Sequence, residues 1–151
     1  MGMITVSKII DAPLDRVFEV FTDLPGAPGR VSAIMKLEVL TDGPIGMGTR
    51  FRETRVMFKK EATETMEFID FDPPRSYTVE ANSCGCHYET SFRFEPHDGG
   101  TKVTAVFSWQ ARSFMAKLMS PLGKLMGSMC IKAFNKDLGE LKAHCEQLQP
   151  A

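Results

Sequence analysis

A chain of 151 residues, 43% hydrophobic and 25% charged, has the make-up of one globular domain that can bury a core, which excludes a disordered or fibrous chain. Its formal net charge of -1 leaves no basic excess for a nucleic-acid partner. No apolar run reaches the roughly 18 residues of a membrane span, so stable membrane insertion is not expected.

The first residues, MGMITVSKIIDAP, show no charged segment followed by an apolar core and a cleavage site. A cytoplasmic location is expected, and with it free thiols at Cys84, Cys86, Cys130 and Cys145, whose spacing matches no disulfide framework. Met3 to Ile10 is rich in β-branched residues and predicts a strand. Asp11-Ala12-Pro13 ends it, and Pro13 can open a helix in which Leu14, Val17, Phe18 and Phe21 share a face. The breaker-rich Asp23–Gly29 follows, and Arg30 to Ile34 is expected to form a short helical turn.

From Met35 the period changes to two. Strands are predicted at about 35–41, 49–59, 61–71, 76–84, 86–95 and 101–111. The short connections between them favour consecutive antiparallel hairpins. In the last two strands Tyr88, Thr90, Phe92, Phe94, Val103, Ala105, Phe107 and Trp109 occupy an apolar face. His87, Glu89, Ser91, Arg93 and Glu95 are assigned to a face that meets water.

The segment Phe114–Leu148 reads as helix, first a short piece and then a long one opened by Ser120-Pro121. Leu122, Met126, Met129, Ala133, Phe134, Leu138, Leu141, Cys145 and Leu148 recur at helical spacing on one side. Such a helix, about 42 Å long, needs a broad apolar surface, and the alternating strands provide it.

Several short motifs fit this order: Ile9-Ile10-Asp11-Ala12-Pro13 before Val17-Phe18, then Gly46-x-Gly48-Thr49-x-Phe51. Phe71-Asp72-Pro73-Pro74-Arg75, Gly99-Gly100-Thr101-Lys102-Val103 and Leu138-x-x-Leu141-Lys142 continue the series. In this order and spacing, over nearly the whole chain, the sequence resembles the START/birch-pollen-allergen-like superfamily (SRPBCC), in its polyketide cyclase/dehydratase-like branch. The resemblance implies one domain, 1–151, of α+β class with a helix-grip fold. A curved antiparallel sheet of about seven strands would wrap a long C-terminal helix, with two short helices after the first strand. It also implies a cavity that takes a small hydrophobic molecule: a lipid, a quinone or a polyketide-like aromatic. The matching motifs are turns and packing positions, so they transfer fold and ligand class, not a reaction; no cofactor is implied.

By strand parity the expected ligand-facing residues are Phe51, Met57, Met66, Phe68, Tyr88, Phe92, Phe107 and Trp109, joined from the helix by Met119, Met126 and Cys130. Each can equally be plain core. Gly123 and Gly127, one helical turn apart, would allow close approach of backbone or ligand, since glycine costs about 1 kcal/mol in a helix interior. Ligand contact is expected between Met115 and Met129, and plain core from Leu138 to Leu148. Pro25–Gly29 and Asp42–Gly48 are the expected gating loops.

Glu53 and Tyr88 are the candidates for proton transfer. Glu53 shares parity with Phe51, and a buried carboxyl has its pKa raised; its alternative is a cross-strand ion pair on an exposed strand. Arg50, Arg52, Arg55, Lys59, Lys60, Glu61, Glu64 and Glu67 are read as a solvated hairpin. Cys84-Gly85-Cys86-His87 is the one metal-like string, but it lacks finger spacing and a second ligand pair, so no metal site is assigned. His144 is expected to face solvent. No nucleophilic triad and no phosphate loop can be assembled. The functional alternatives are a ligand carrier, an enzyme of cyclisation or dehydration in the same cavity, and a partner-binding module of chaperone-activator type.

Overall fold

The computed structural model describes residues 2–57, 59–83, 86–111 and 123–147, with all their side chains except those of residues 57, 83, 111 and 123–129. The sheet contains seven strands: β1 (Gly2–Ile10), β2 (Ile34–Val39), β3 (Arg50–Met57), β4 (Lys60–Asp72), β5 (Ser76–Ser83), β6 (Cys86–His97) and β7 (Gly100–Ala111). Every neighbouring pair is antiparallel, in the order β1-β7-β6-β5-β4-β3-β2. Six consecutive strands thus form a meander, and the first strand closes on the last.

Between β1 and β2 the chain forms α1 (Leu14–Thr22), a 3-10 turn (Leu24–Gly26) and α2 (Ala27–Arg30). The helical turn expected at Arg30–Ile34 therefore lies earlier. Pro25 and Pro28 sit in the first turns of these two elements, where a fixed φ suits a helix and a missing N–H costs nothing. Val31 is already extended, and Ile34 opens β2. Pro25–Gly29 is accordingly helical, whereas Asp42–Gly48 remains a loop with positive φ at Gly43 and Gly48.

The long helix α3 (Gly123–Gln147) carries Leu138 and Cys145 into the core and packs Phe134 and Leu141 against it. Its predicted start at Ser120-Pro121, the short helical piece before it, and Met115, Met119, Leu122 and Leu148 lie outside the described residues or side chains. Its carboxylates grip backbone at both ends of the sheet. Glu140 accepts hydrogen bonds from the Ser32 N–H and hydroxyl, each at 2.8 Å, and Glu146 accepts one from the Asp11 N–H at 2.8 Å. His144 does not face water freely as expected, because its Nε2 is buried.

The core fills the end of the sheet under α1. Val17, Phe18, Val20 and Phe21 are buried there with Ile10, Val103, Phe94 and Leu138. At the β6–β7 turn Asp98 and Gly99 have φ of 46° and 82°, the paired positive values of a two-residue hairpin. Next to it, Gly100 leaves no room for a side chain, since an added Cβ would sit 2.5 Å from the Ile10 carbonyl oxygen. Gly100→Ala is expected to lower stability by about 1–3 kcal/mol through overpacking, read as a lower urea midpoint at unchanged m-value.

A bulge between Phe68 and Asp70 reverses the parity of β4. Phe68 and Phe71 therefore both face the helix side and stack with ring centres 5.7 Å apart. A second irregularity between Ile34 and Lys36 buries Ile34 and leaves Met35 exposed.

Candidate functional site

The concave face of the sheet divides into three zones. The first is a packed aromatic block. Tyr77 lies 5.4 Å from Phe68 and 4.9 Å from Phe92, and Phe51 meets Phe68 edge-on at 5.8 Å. Phe18 and Phe21 close it from α1, at 5.3 Å and 5.2 Å from Phe94. Among the expected ligand-facing residues, Phe51 and Phe68 belong to this block; Phe68 is 1% exposed. Met66 and Phe92 are partly buried at its border.

The second zone is polar and buried. Strand parity turns Phe51, Glu53 and Arg55 of β3 toward the helix. Arg55 donates from Nε to Glu53 Oε1 at 2.8 Å and from Nη2 to Asp137 Oδ2 of α3 at 3.0 Å. Glu53 is 8% exposed, so neither an exposed strand nor a cross-strand partner describes it. One guanidinium here serves two carboxylates. Burial pushes the Glu53 carboxyl above its ordinary range; Arg55 opposes that, and Asp137 and the cross-strand Glu64 add to it. Burial likewise raises Asp137, again against the pull of Arg55. The Tyr77 hydroxyl is raised by burial and by the negative Glu53 close to it.

The third zone is aromatic and only half-buried. Tyr88 stacks on Phe107 at 5.8 Å, Phe107 meets Trp109 at 5.6 Å, and Phe134 of α3 reaches Phe107 at 5.3 Å. Cys130, one turn before Phe134, is buried, and burial raises its thiol pKa. The Trp109 indole lies where a side chain at position 2 would be: a Cβ on Gly2 would fall within 2.1 Å of it.

The structure thus brings Tyr88, Phe107 and Trp109 together, with Phe92 and Met66 toward the packed block, and buries Cys130 on α3. Met119 is outside the described residues, as are the side chains of Met57 and Met126. Arg55, Asp137 and Tyr77 are functional candidates that the sequence reading passed over or placed in solvent. One signal was available for Arg55, which shares parity with Phe51 and Glu53. In the charged hairpin, the cross-strand pair is Arg50 with Glu67, at 3.7 Å.

Cys86 pairs across from Ala111 on the side of Tyr88, and His87 turns to the opposite face. Adjacent strand residues point apart, so these two cannot share one ion; Cys84 and Gly85 lie outside the described residues. An open groove of about 530 Å³ beside the β4–β5 turn, lined by Leu14, Asp72, Arg75, Ser76, Arg93, Phe94, Glu95 and Pro96, meets the packed block at Phe94 and is separate from the other two zones.

A seven-stranded antiparallel sheet clasping a C-terminal helix, with short helices after the first strand, defines the helix-grip class of the START-like proteins. The chain belongs to the family described as "Polyketide cyclase / dehydrase and lipid transport", whose profile matches residues 1–146. The expected superfamily and branch are thereby shown. No curated protein sequence matches the chain.

Solved structures share the fold at low identity. TTHA0849 from Thermus thermophilus superposes with a TM-score of 0.82 at 20% identity, covering 99% of this chain and 100% of that one. A START superfamily protein from Mycobacterium smegmatis gives 0.81 at 11% identity, with 97% and 99% covered. BexL, the di-domain ARO/CYC of the BE-7585A biosynthetic pathway, gives 0.80 at 14% identity, covering 99% of this chain and 51% of that one. The family supports hydrophobic-ligand binding or polyketide-cyclase-type function in general terms. No helix among the described residues is long and apolar enough to cross a membrane.

Proposed function

We propose that the protein binds a small hydrophobic molecule, lipid-like, quinone-like or a polyketide-like aromatic, between the sheet and α3. The observation that carries this reading is the aromatic zone of Tyr88, Phe107 and Trp109, half-buried on the concave face and met by Phe134. It shares that face with a buried charged cluster that can hold a polar end. Enclosing about ten methylene groups is worth roughly 8 kcal/mol gross, from which association removes several. A hydrogen bond to Glu53, Arg55 or Tyr77 brings the net toward micromolar affinity, about -8 kcal/mol.

Trp109 is the only tryptophan, so its fluorescence reports from within the proposed site. Titration with a panel of fatty acids, quinones and polycyclic phenols is expected to quench or shift it, with Kd on the order of micromolar. Tyr88→Ala and Phe107→Ala should each weaken binding about tenfold or more, the loss of about 1.4 kcal/mol of contact. Absence of any response across the panel, with no co-purifying compound in native mass spectra, would overturn the proposal.

A second reading, cyclisation or dehydration in the same space, is favoured by the arrangement of two carboxylates around Arg55. Burial promotes retention of a proton on that pair, and Glu53 so protonated can donate to a carbonyl or leaving hydroxyl and later take the proton back. Glu53→Gln should then leave ligand affinity within a few-fold and abolish turnover. Unchanged turnover in that variant would remove Glu53 from the chemistry.

A further inference from the structure

The outer face of the sheet carries a group of side chains that the ligand site does not use. Strand register sets Glu67 of β4 opposite Glu80 of β5, and Glu80 opposite Glu89 of β6. Like charges directly opposed on neighbouring strands are destabilising. Arg50 answers Glu67 at 3.7 Å. Between Glu80 and Glu89 no lysine or arginine forms an ion pair among the described residues; the group there is His87.

The His87 side chain, 12% exposed, places Nε2 at 3.2 Å from Glu89 Oε1 and 3.6 Å from Glu80 Oε2. Its other nitrogen, Nδ1, is held by Asn82 Oδ1 at 2.9 Å. Donation of Nδ1–H to that oxygen leaves the Nε2 lone pair facing the same small space as two anionic oxygens. An imidazole nitrogen oriented by a partner on its far side, with two carboxylates beside it, is the donor set of a divalent transition ion.

The spacing agrees. Metal–ligand bonds of about 2.0–2.2 Å in a tetrahedron place the donor atoms roughly 3.3–3.6 Å apart. The separations of 3.2 Å and 3.6 Å lie close to that edge, and all three donor atoms lie within 4.8 Å of one another. We propose that Glu80, His87 and Glu89 form a binding site for a divalent first-row transition ion of Zn²⁺ type, with Asn82 orienting the imidazole. The ion would neutralise the opposed carboxylates and pin β5 to β6 on the face away from the proposed ligand. Its fourth position would be left to water. Magnesium and calcium fit less well, since they favour all-oxygen shells of six or more ligands.

The test is titration of the purified chain with ZnCl₂, followed by calorimetry and thermal unfolding. Zinc at about a hundredfold excess over Kd should raise Tm by roughly 5–10 °C. His87→Gln and Glu80→Gln should each lose tenfold or more in affinity, whereas Cys86→Ser should bind as the parent does. In case a variant misfolds, nitrogen NMR of the unmutated chain must show the His87 Nε2 resonance, not Nδ1, moving on zinc addition. Cobalt should bind without a thiolate charge-transfer band. The proposal is overturned by no binding up to millimolar zinc, by undiminished binding in His87→Gln, or by a thiolate band.

Discussion

Replacing Arg55 by methionine is expected to cost about 3–5 kcal/mol at pH 7, because two buried carboxylates lose their shared cation. Equilibrium urea unfolding measures it. Glu53→Gln is expected to behave in the opposite way, staying near neutral or gaining stability, since it leaves Arg55 paired one-to-one with Asp137 at 3.0 Å. The pH profile carries the same logic. The native pKa values of Glu53 and Asp137 are raised above 4.5 and 3.8, so above those values the folded chain holds more protons than the unfolded one. Their contribution is therefore present at acid pH and declines as pH rises through the raised native values. Glu53→Gln should flatten that decline above about pH 4.5, the ordinary glutamate value. In Arg55→Met the penalty should shrink toward acid pH, as both carboxyls take up protons. A penalty independent of pH would show that Arg55 matters only through its packing.

The second large effect is expected at Phe68. It is 1% exposed and touches Phe51, Phe71 and Tyr77 through its ring, so Phe68→Ala should cost about 3–5 kcal/mol. The measurement separates core from site. Truncation at Phe68 should lower Tm strongly, while Tyr88→Ala should lower affinity for the hydrophobic probe with a much smaller loss of Tm. The half-buried ring has less contact to lose. If Phe68→Ala lost less than Tyr88→Ala, the division of the concave face into packed block and ligand zone would be wrong.

The division also shows how far residue patterns reach. Alternation in β6 and β7 identified Tyr88, Phe92, Phe107 and Trp109 as one face, and helical spacing identified Leu138 and Cys145 as core. The short connection between the predicted strands 86–95 and 101–111 marked their hairpin. These are local properties, set by a period of two, a period of 3.6 or a permitted φ. Phe71 was not legible in this way, because an extra residue at the Phe68–Asp70 bulge turns it to the face that simple parity denies it. Arg55 stands in a charged string that composition assigns to solvent, and its burial depends on Asp137, 82 positions later in the chain. Tyr77 gains its setting from rings on other elements, α1, β4 and β6.

By itself, then, the sequence determined the α+β class, the strand–helix order, the meander and the apolar sides of sheet and helix. Each follows from periodicity and turn chemistry within short windows. Only the tertiary structure decided where the polar atoms inside that apolar frame end up. The cluster of Glu53, Arg55 and Asp137, and the outer group of Glu80, His87 and Glu89, arise from register between strands and from the position of a helix across the sheet. Those relations are long-range, and no local pattern encodes them.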